Sequence, residues 1–194
     1  MRQTKIIFDL DDTLYVDKEL RHQRNNTILK FLGERSLDFI RLKKYYTTLN
    51  SLRKLGVSRE KFYDLMDDVE INLEEDIKLI KLFESLRGRY QLIVLSNSSK
   101  QCVEITLNKL GIFNLIDEIY CGEDFKEPKP FEDCFFMIRQ GDFCVGNNFE
   151  KDLKIPQERG AITILVGNED GQANYVINNI YELEEVLNSE LNNL

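Results

Sequence analysis

"IIFDLDDTLY", residues 6–15, runs three apolar residues into Asp9, Asp11 and Asp12. A strand-like segment that ends in three mutually repelling carboxylates needs an opposing charge at its tip, and the nature of that charge decides what the chain is. Asp9 and Asp11 stand two apart, which in extended backbone puts both side chains on one side. There they can share a divalent cation and an incoming phosphate. Taken alone, the cluster reads equally well as a polar turn.

The rest of the chain supplies the frame. After residue 90 short β-type runs alternate with helix-type stretches: "QLIVLS" (91–96), "EIYC" (118–121), "DFCVG" (142–146) and "AITILVG" (161–167) read as buried strands. Helices are expected around 100–110, 131–140, 149–159 and 182–191. With "KIIFDL" as the first strand, the pattern predicts an α/β fold, a doubly wound parallel sheet covered on both faces. The region before residue 88 breaks the alternation. Phe39, Leu42, Tyr46, Leu49 and Leu52 recur at helical spacing, and Phe62, Leu65, Met66 and Val69 repeat it after a candidate N-cap at Ser58. The expected organisation is a core of residues 1–16 and 77–194 carrying an all-helical insert, 17–76.

In a doubly wound sheet ligands bind beyond the C-terminal strand ends, so three further ends are informative. "VLSNSS" offers the Ser96 hydroxyl and the backbone N–H groups from Asn97 onward as a small anion cradle; its plainer reading is an N-cap. "GEDFKEPKPFEDCFF" presents Lys129 between Pro128 and Pro130 on a stiff loop. "VGNNFEKD" is an Asn-rich turn with Asp152 five residues after Asn147.

Composition removes other classes. The chain has 194 residues, a net charge of -8 and no long apolar run, so no signal or membrane anchor is visible and a cytoplasmic location is expected. The acidic balance argues against nucleic acid as the main partner. Residues 18–72 nevertheless carry 12 Lys and Arg against 8 Asp and Glu, a basic insert in an acidic body. The four cysteines lack C-x-x-C spacing and the single His22 is remote from them, so buried free thiols are expected rather than a zinc site.

Taken together and in this order, the four strand ends resemble the motifs of the haloacid dehalogenase superfamily, whose common members are phosphatases using an aspartate nucleophile. The superfamily's D-x-D-x-T is matched by Asp9 to Thr13, its Ser/Thr motif by Ser96, its K-P lysine by Lys129 and its last motif by Gly146 to Asp152. The insert is similar to the family's helical C1 cap, and "FDLDDTLY" resembles the nucleotidase-like phosphatases of the group. The resemblance implies a HAD-like Rossmannoid core. It also implies hydrolysis of a small phosphomonoester, a nucleotide or sugar phosphate, by a monomer or homodimer. Asp9 would be the nucleophile, Asp11 the acid and base, and Ser96, Asn97 and Lys129 the phosphate holders. Mg²⁺, or Mn²⁺, would sit on Asp9, Asp11 and Asn147, with Thr13 and Asp152 in support. One departure stands out. The family's last motif usually places Asp where this chain has Asn147, so weaker metal binding is expected. That departure keeps two alternatives in view: a phospho-ligand-binding protein with little turnover, and a metal-independent 2-haloacid dehalogenase, which the presence of Asp11 opposes.

Overall fold

The computed structural model describes residues 3–167 and 172–192. By their contacts the residues fall into two compact units, Met1–Val16 with Leu73–Leu194, and Asp17–Asn72. Residues 73–76, expected with the insert, therefore group with the first unit.

The first unit is built on six parallel strands, β1 (Lys5–Phe8), β2 (Gln91–Leu95), β3 (Glu118–Tyr120), β4 (Phe143–Gly146), β5 (Ile162–Val166) and β6 (Tyr175–Ile177), in the order β3-β2-β1-β4-β5-β6. The order reverses at β1, which puts a ligand crevice at the ends of β1 and its neighbours. Side chains alternate between faces. Ile6, Phe8, Leu92, Val94 and Val145 enter one apolar cluster, with Phe83 and Leu86 of α5 (Ile77–Leu86) and Val103 and Leu107 of α6 (Lys100–Lys109). Leu183 and Leu187 of α8 (Leu183–Asn192) complete it. Ile7, Ile93, Leu95 and Cys144 enter the other, against Phe135, Ile138 and Leu153. The strands therefore read as continuous apolar runs because both faces are covered.

Two expectations about this unit need correction. β6 was not anticipated. The helix expected over 131–140 is only a 3₁₀ turn, Glu132–Phe135. Its carbonyls are taken from outside, the Arg159 guanidinium donating to those of Phe135 (2.5 Å) and Glu132 (3.2 Å), and further on the Arg139 N–H donates to the Asp142 side chain, Oδ2, at 3.0 Å. The expected helical stretch 149–159 is a π-helix, Phe149–Leu153, followed by α7 (Lys154–Glu158). All four cysteines are free and buried. Burial pushes the thiols of Cys121 and Cys134 up, to about 12 and about 11, so they stay protonated near neutrality.

The second unit holds α1 (Lys18–Leu32), α2 (Ser36–Leu42), α3 (Thr48–Lys54) and α4 (Arg59–Asp67). The apolar stripe from Phe39 to Leu52 is two helices rather than one. The chain turns out of α2 after Leu42, and the Thr47 side chain accepts from Asn50 N–H to start α3. Ser58 caps α4 in the same way, 3.1 Å from Lys61 N–H. His22 lies exposed on α1. No helix among the described residues is long and apolar enough to cross a membrane.

Candidate active site

The sheet ladder carries Asp9 into place. Phe8 pairs with Val145, and Asp9 N–H donates to Val145 carbonyl at 2.9 Å, so Asp9 leaves the sheet beside Gly146 and Asn147. Beyond it the chain makes one turn: Thr13 and Leu14 N–H donate to the Leu10 carbonyl at 3.3 and 3.0 Å, with Leu10 and Leu14 both buried. Asp12 sits in the middle of this turn at φ 62°.

Asp9 is 5% exposed. Its Oδ1 accepts from Lys129 Nζ at 2.7 Å and its Oδ2 from Thr13 Oγ1 at 2.8 Å. Lys129 is itself buried and lies equally close, 2.7 Å, to Asp152 Oδ1. Burial works against the lysine's charge, but Asp152 and Asp9 outweigh it and hold Lys129 protonated well above its ordinary range. Burial and the Asp9 charge push Asp152 up, with Lys129 acting the other way. A second ammonium, that of the partly exposed Lys151, stands 3.7 Å from Asp152 Oδ2, so two buried carboxylates meet two ammoniums here.

Two clamps fix these heads. The Asn97 side chain takes Lys129 by its backbone, with Lys129 N–H donating to Asn97 Oδ1 at 2.7 Å and Asn97 Nδ2 donating to the Lys129 carbonyl at 3.0 Å. The peptide bond that follows, Lys129–Pro130, is cis. Asp152 rides the π-helix after β4, its Oδ2 accepting from Asn148 N–H at 3.2 Å. A Cβ on Gly146 would meet Asp152 Cβ at 2.6 Å, so the close approach of this carboxylate to the strand requires glycine there.

Asp11 is held differently. Its Oδ1 accepts from Tyr15 OH at 2.5 Å and its Oδ2 from Ser98 Oγ at 2.8 Å. Ser96 is buried, and its Oγ accepts from Ser98 N–H at 3.1 Å, which tightens the loop into a concave turn. The strand ends thus bring together Asp9, Thr13, Lys129 and Asp152, and tie Asp11 to the loop of Ser96 and Asn97. Ser98 and Tyr15 are absent from the sequence reading. Ser98 was legible in the serine run of "SNSS". Tyr15 was legible by its spacing, four residues after Asp11 as Thr13 is four after Asp9.

Asn147 Oδ1 is buried and has no hydrogen-bond partner. An amide oxygen left so costs about 1–3 kcal/mol, and a hard cation satisfies it. Among the described residues no three Asp, Glu, His or Cys side chains gather around a metal-sized space. The oxygen donors brought to neighbouring strand ends here are the Asp9 carboxylate and the Asn147 amide oxygen. Hard oxygen donors suit Mg²⁺ or Mn²⁺ and not a soft metal.

Comparison with curated proteins finds no match. Among solved structures the chain is similar to a haloacid dehalogenase-type hydrolase from Bacillus subtilis bound to magnesium, at 16% identity and TM-score 0.61 over 96% of this chain and 100% of that one. It is similar to a 2-haloacid dehalogenase from Pseudomonas syringae pv. Tomato (18%, TM-score 0.63, 97% and 100%). A phosphatase of the same superfamily from Thermococcus onnurineus also matches (18%, TM-score 0.66, 95% and 98%). At such identities the likeness speaks to the fold and leaves the choice of chemistry open. The sequence itself matches the haloacid dehalogenase-like hydrolase family across residues 6–141, which covers the first three motif-bearing strand ends and the whole insert, and the protein therefore belongs to that family.

Proposed function

We propose that the protein is a Mg²⁺-dependent phosphomonoester hydrolase that works through an aspartyl-phosphate on Asp9. The observation that carries this reading is the contrast in how two neighbouring aspartates are held: Asp9 buried against an ammonium, Asp11 held by the hydroxyls of Tyr15 and Ser98. A nucleophile must stay ionised, and Lys129 favours that state. An acid and base must change state, and a hydroxyl tolerates both because it donates to a carboxylate and accepts from a carboxylic acid.

In the first step an Asp9 carboxylate oxygen bonds to phosphorus while the bond from phosphorus to the ester oxygen breaks. The electron pair stays on the departing oxygen, which takes the proton of Asp11. In the second step Asp11, now a carboxylate, takes a proton from water as that water bonds to phosphorus, and the bond to Asp9 breaks to release phosphate. Lys129 neutralises phosphoryl oxygens, and the Ser96 hydroxyl with the N–H groups of the following loop holds them. Mg²⁺, when held by Asp9, the Asp11 carbonyl and Asn147, adds positive charge on the same oxygens and relieves anion–anion repulsion. Asp152 and Asn97 keep Lys129 in place. In a 2-haloacid dehalogenase reaction the halide departs without a proton, so an acid at Asp11 would go unused in the first step, and the hydroxyl pair around it favours the phosphatase.

The length of the insert between the first two motifs supports a small substrate. A unit of that size is long enough to restrict entry, which favours a small nucleotide or sugar phosphate over a phosphoprotein. The test is phosphate release from p-nitrophenyl phosphate and a panel of phosphorylated metabolites, with and without Mg²⁺. Metal-dependent release is expected. Halide release from a 2-haloacid with no phosphate release would overturn the reading, and binding of phosphate without turnover would favour a non-catalytic role.

A further inference from the structure

We infer that Tyr15 is a positioning residue for Asp11, doing for the acid and base what Thr13 does for the nucleophile; this rests on the roles proposed for Asp9 and Asp11. The turn at 10–14 generates the arrangement. Leu10 and Leu14, four apart and each 1% exposed, pin its two ends in the core. Asp12 reverses the backbone at φ 62°, and the returning chain pairs Tyr15 with Asp11. The result is two parallel links across one turn, each from an aspartate to a hydroxyl four residues on: Thr13 Oγ1 to Asp9 Oδ2 at 2.8 Å, and Tyr15 OH to Asp11 Oδ1 at 2.5 Å. Ser98, far away in sequence, closes on the other oxygen of Asp11 at 2.8 Å. With one donor on each oxygen the carboxylate cannot rotate about its terminal bond without losing both.

The surroundings of Tyr15 argue that the hydroxyl, not the bulk of the ring, is what the position uses. The ring leans on the apolar cluster of the first unit but is only half-buried. It lines an open cleft of about 470 Å³ with Val16, Leu73–Lys78, Leu110 and Tyr181. A side chain chosen to fill the core would not border so much open space. Tyr15 also immediately precedes the passage into the second unit at Val16 and Asp17.

A positioning role makes a specific kinetic demand. Expulsion of p-nitrophenolate needs no proton, whereas expulsion of the glycerol alkoxide does, and kcat/KM reports steps only through formation of the aspartyl-phosphate. The full-length parent, Asp11→Asn, Tyr15→Phe and Ser98→Ala are compared in saturating Mg²⁺ on p-nitrophenyl phosphate and glycerol phosphate. Tyr15→Phe is expected to lower the ratio of kcat/KM for glycerol phosphate over p-nitrophenyl phosphate by about tenfold, and Asp11→Asn by more, on the order of the 10²–10⁴ ascribed to general acid catalysis. Ser98→Ala, which removes the opposite donor, should move the ratio the same way as Tyr15→Phe. Thermal melting checks that each variant is folded. Equal losses on both substrates in Tyr15→Phe, with a changed ratio in Asp11→Asn, would overturn the role of Tyr15 alone. An unchanged ratio in Asp11→Asn, or no hydrolysis by the parent, would overturn the acid and base reading and this inference together.

Discussion

Asp9 and Asp11 are two residues apart on one strand tip, yet the protein builds opposite environments around them. Asp9 is buried and contacts an ammonium that also serves Asp152. Asp11 is half-buried and linked to the hydroxyls of Tyr15 and Ser98. The difference teaches that motif spacing sets where carboxylates stand, while their partners set what they can do. An ammonium only donates and so favours one ionisation state. A hydroxyl follows the proton.

The contrast breaks most completely at the nucleophile. Asp9→Asn should reduce phosphate release by at least about 10³-fold, since an amide cannot form the acyl-phosphate, with its melting transition retained. Turnover within tenfold of the parent would sink the covalent route. Lys129→Met comes next: it takes the ammonium from buried Asp9 and leaves Asp152 only the 3.7 Å contact to Lys151, so beyond loss of activity it should cost about 3–5 kcal/mol of stability. Ser98→Ala, which removes a neutral partner, should cost only about 1 kcal/mol. Urea unfolding of the two variants measures the difference, and similar costs would mean that the two aspartates are not held in different ways.

Asn147→Asp sharpens the comparison by adding charge on the nucleophile's side. It should tighten Mg²⁺ by about tenfold, as an order of magnitude for one added anionic oxygen ligand near the cation, and raise activity at limiting metal. Calorimetric titration of both forms decides it, equal affinity meaning that Asn147 is not a ligand. The smallest effect is expected at a control pair. Tyr181 OH donates to Asp76 Oδ2, the same chemistry as Tyr15 on Asp11 but on a carboxylate with no proposed part in the reaction. Burial, then the Asp76 interaction, raises the Tyr181 phenol from 10.0 to about 12. The folded state thus favours the neutral phenol. That stabilisation is complete below pH 10 and is lost as pH rises toward 12. Tyr181→Phe should flatten the decline of melting temperature over that window while changing kcat/KM on neither substrate class.

The fold was legible where two signals agreed. β1, β2, β4 and β5 are apolar on both faces and end at polar turns, and their positions match expectation within a residue or two. Ser58 was legible as a cap because a hydroxyl before a helical stripe has few other uses. The stretch 131–140 misled because its apolar residues suit a helix, while Arg159, remote in sequence, and Asp142, just past the stretch, claim backbone groups a helix would need. The site shows the same division. Asp9, Asp11, Ser96, Lys129 and Asp152 announce themselves as chemistry at strand ends. The Asn97 side chain is less visible, since its clamp on Lys129 exists only once β2 and the loop after β3 are neighbours.

The turn at Asp12 has a consequence for sequence tolerance. Left-handed backbone costs an ordinary L-residue about 1–2 kcal/mol, and Asp, Asn and Gly bear it best. Position 12 should therefore accept Asn or Gly with little loss and reject Val or Ile, whatever their effect on charge. The opening motif spells aspartate three times in four residues, but under the proposed mechanism the three letters serve different ends: ninth for bond formation, eleventh for proton traffic, twelfth for handedness.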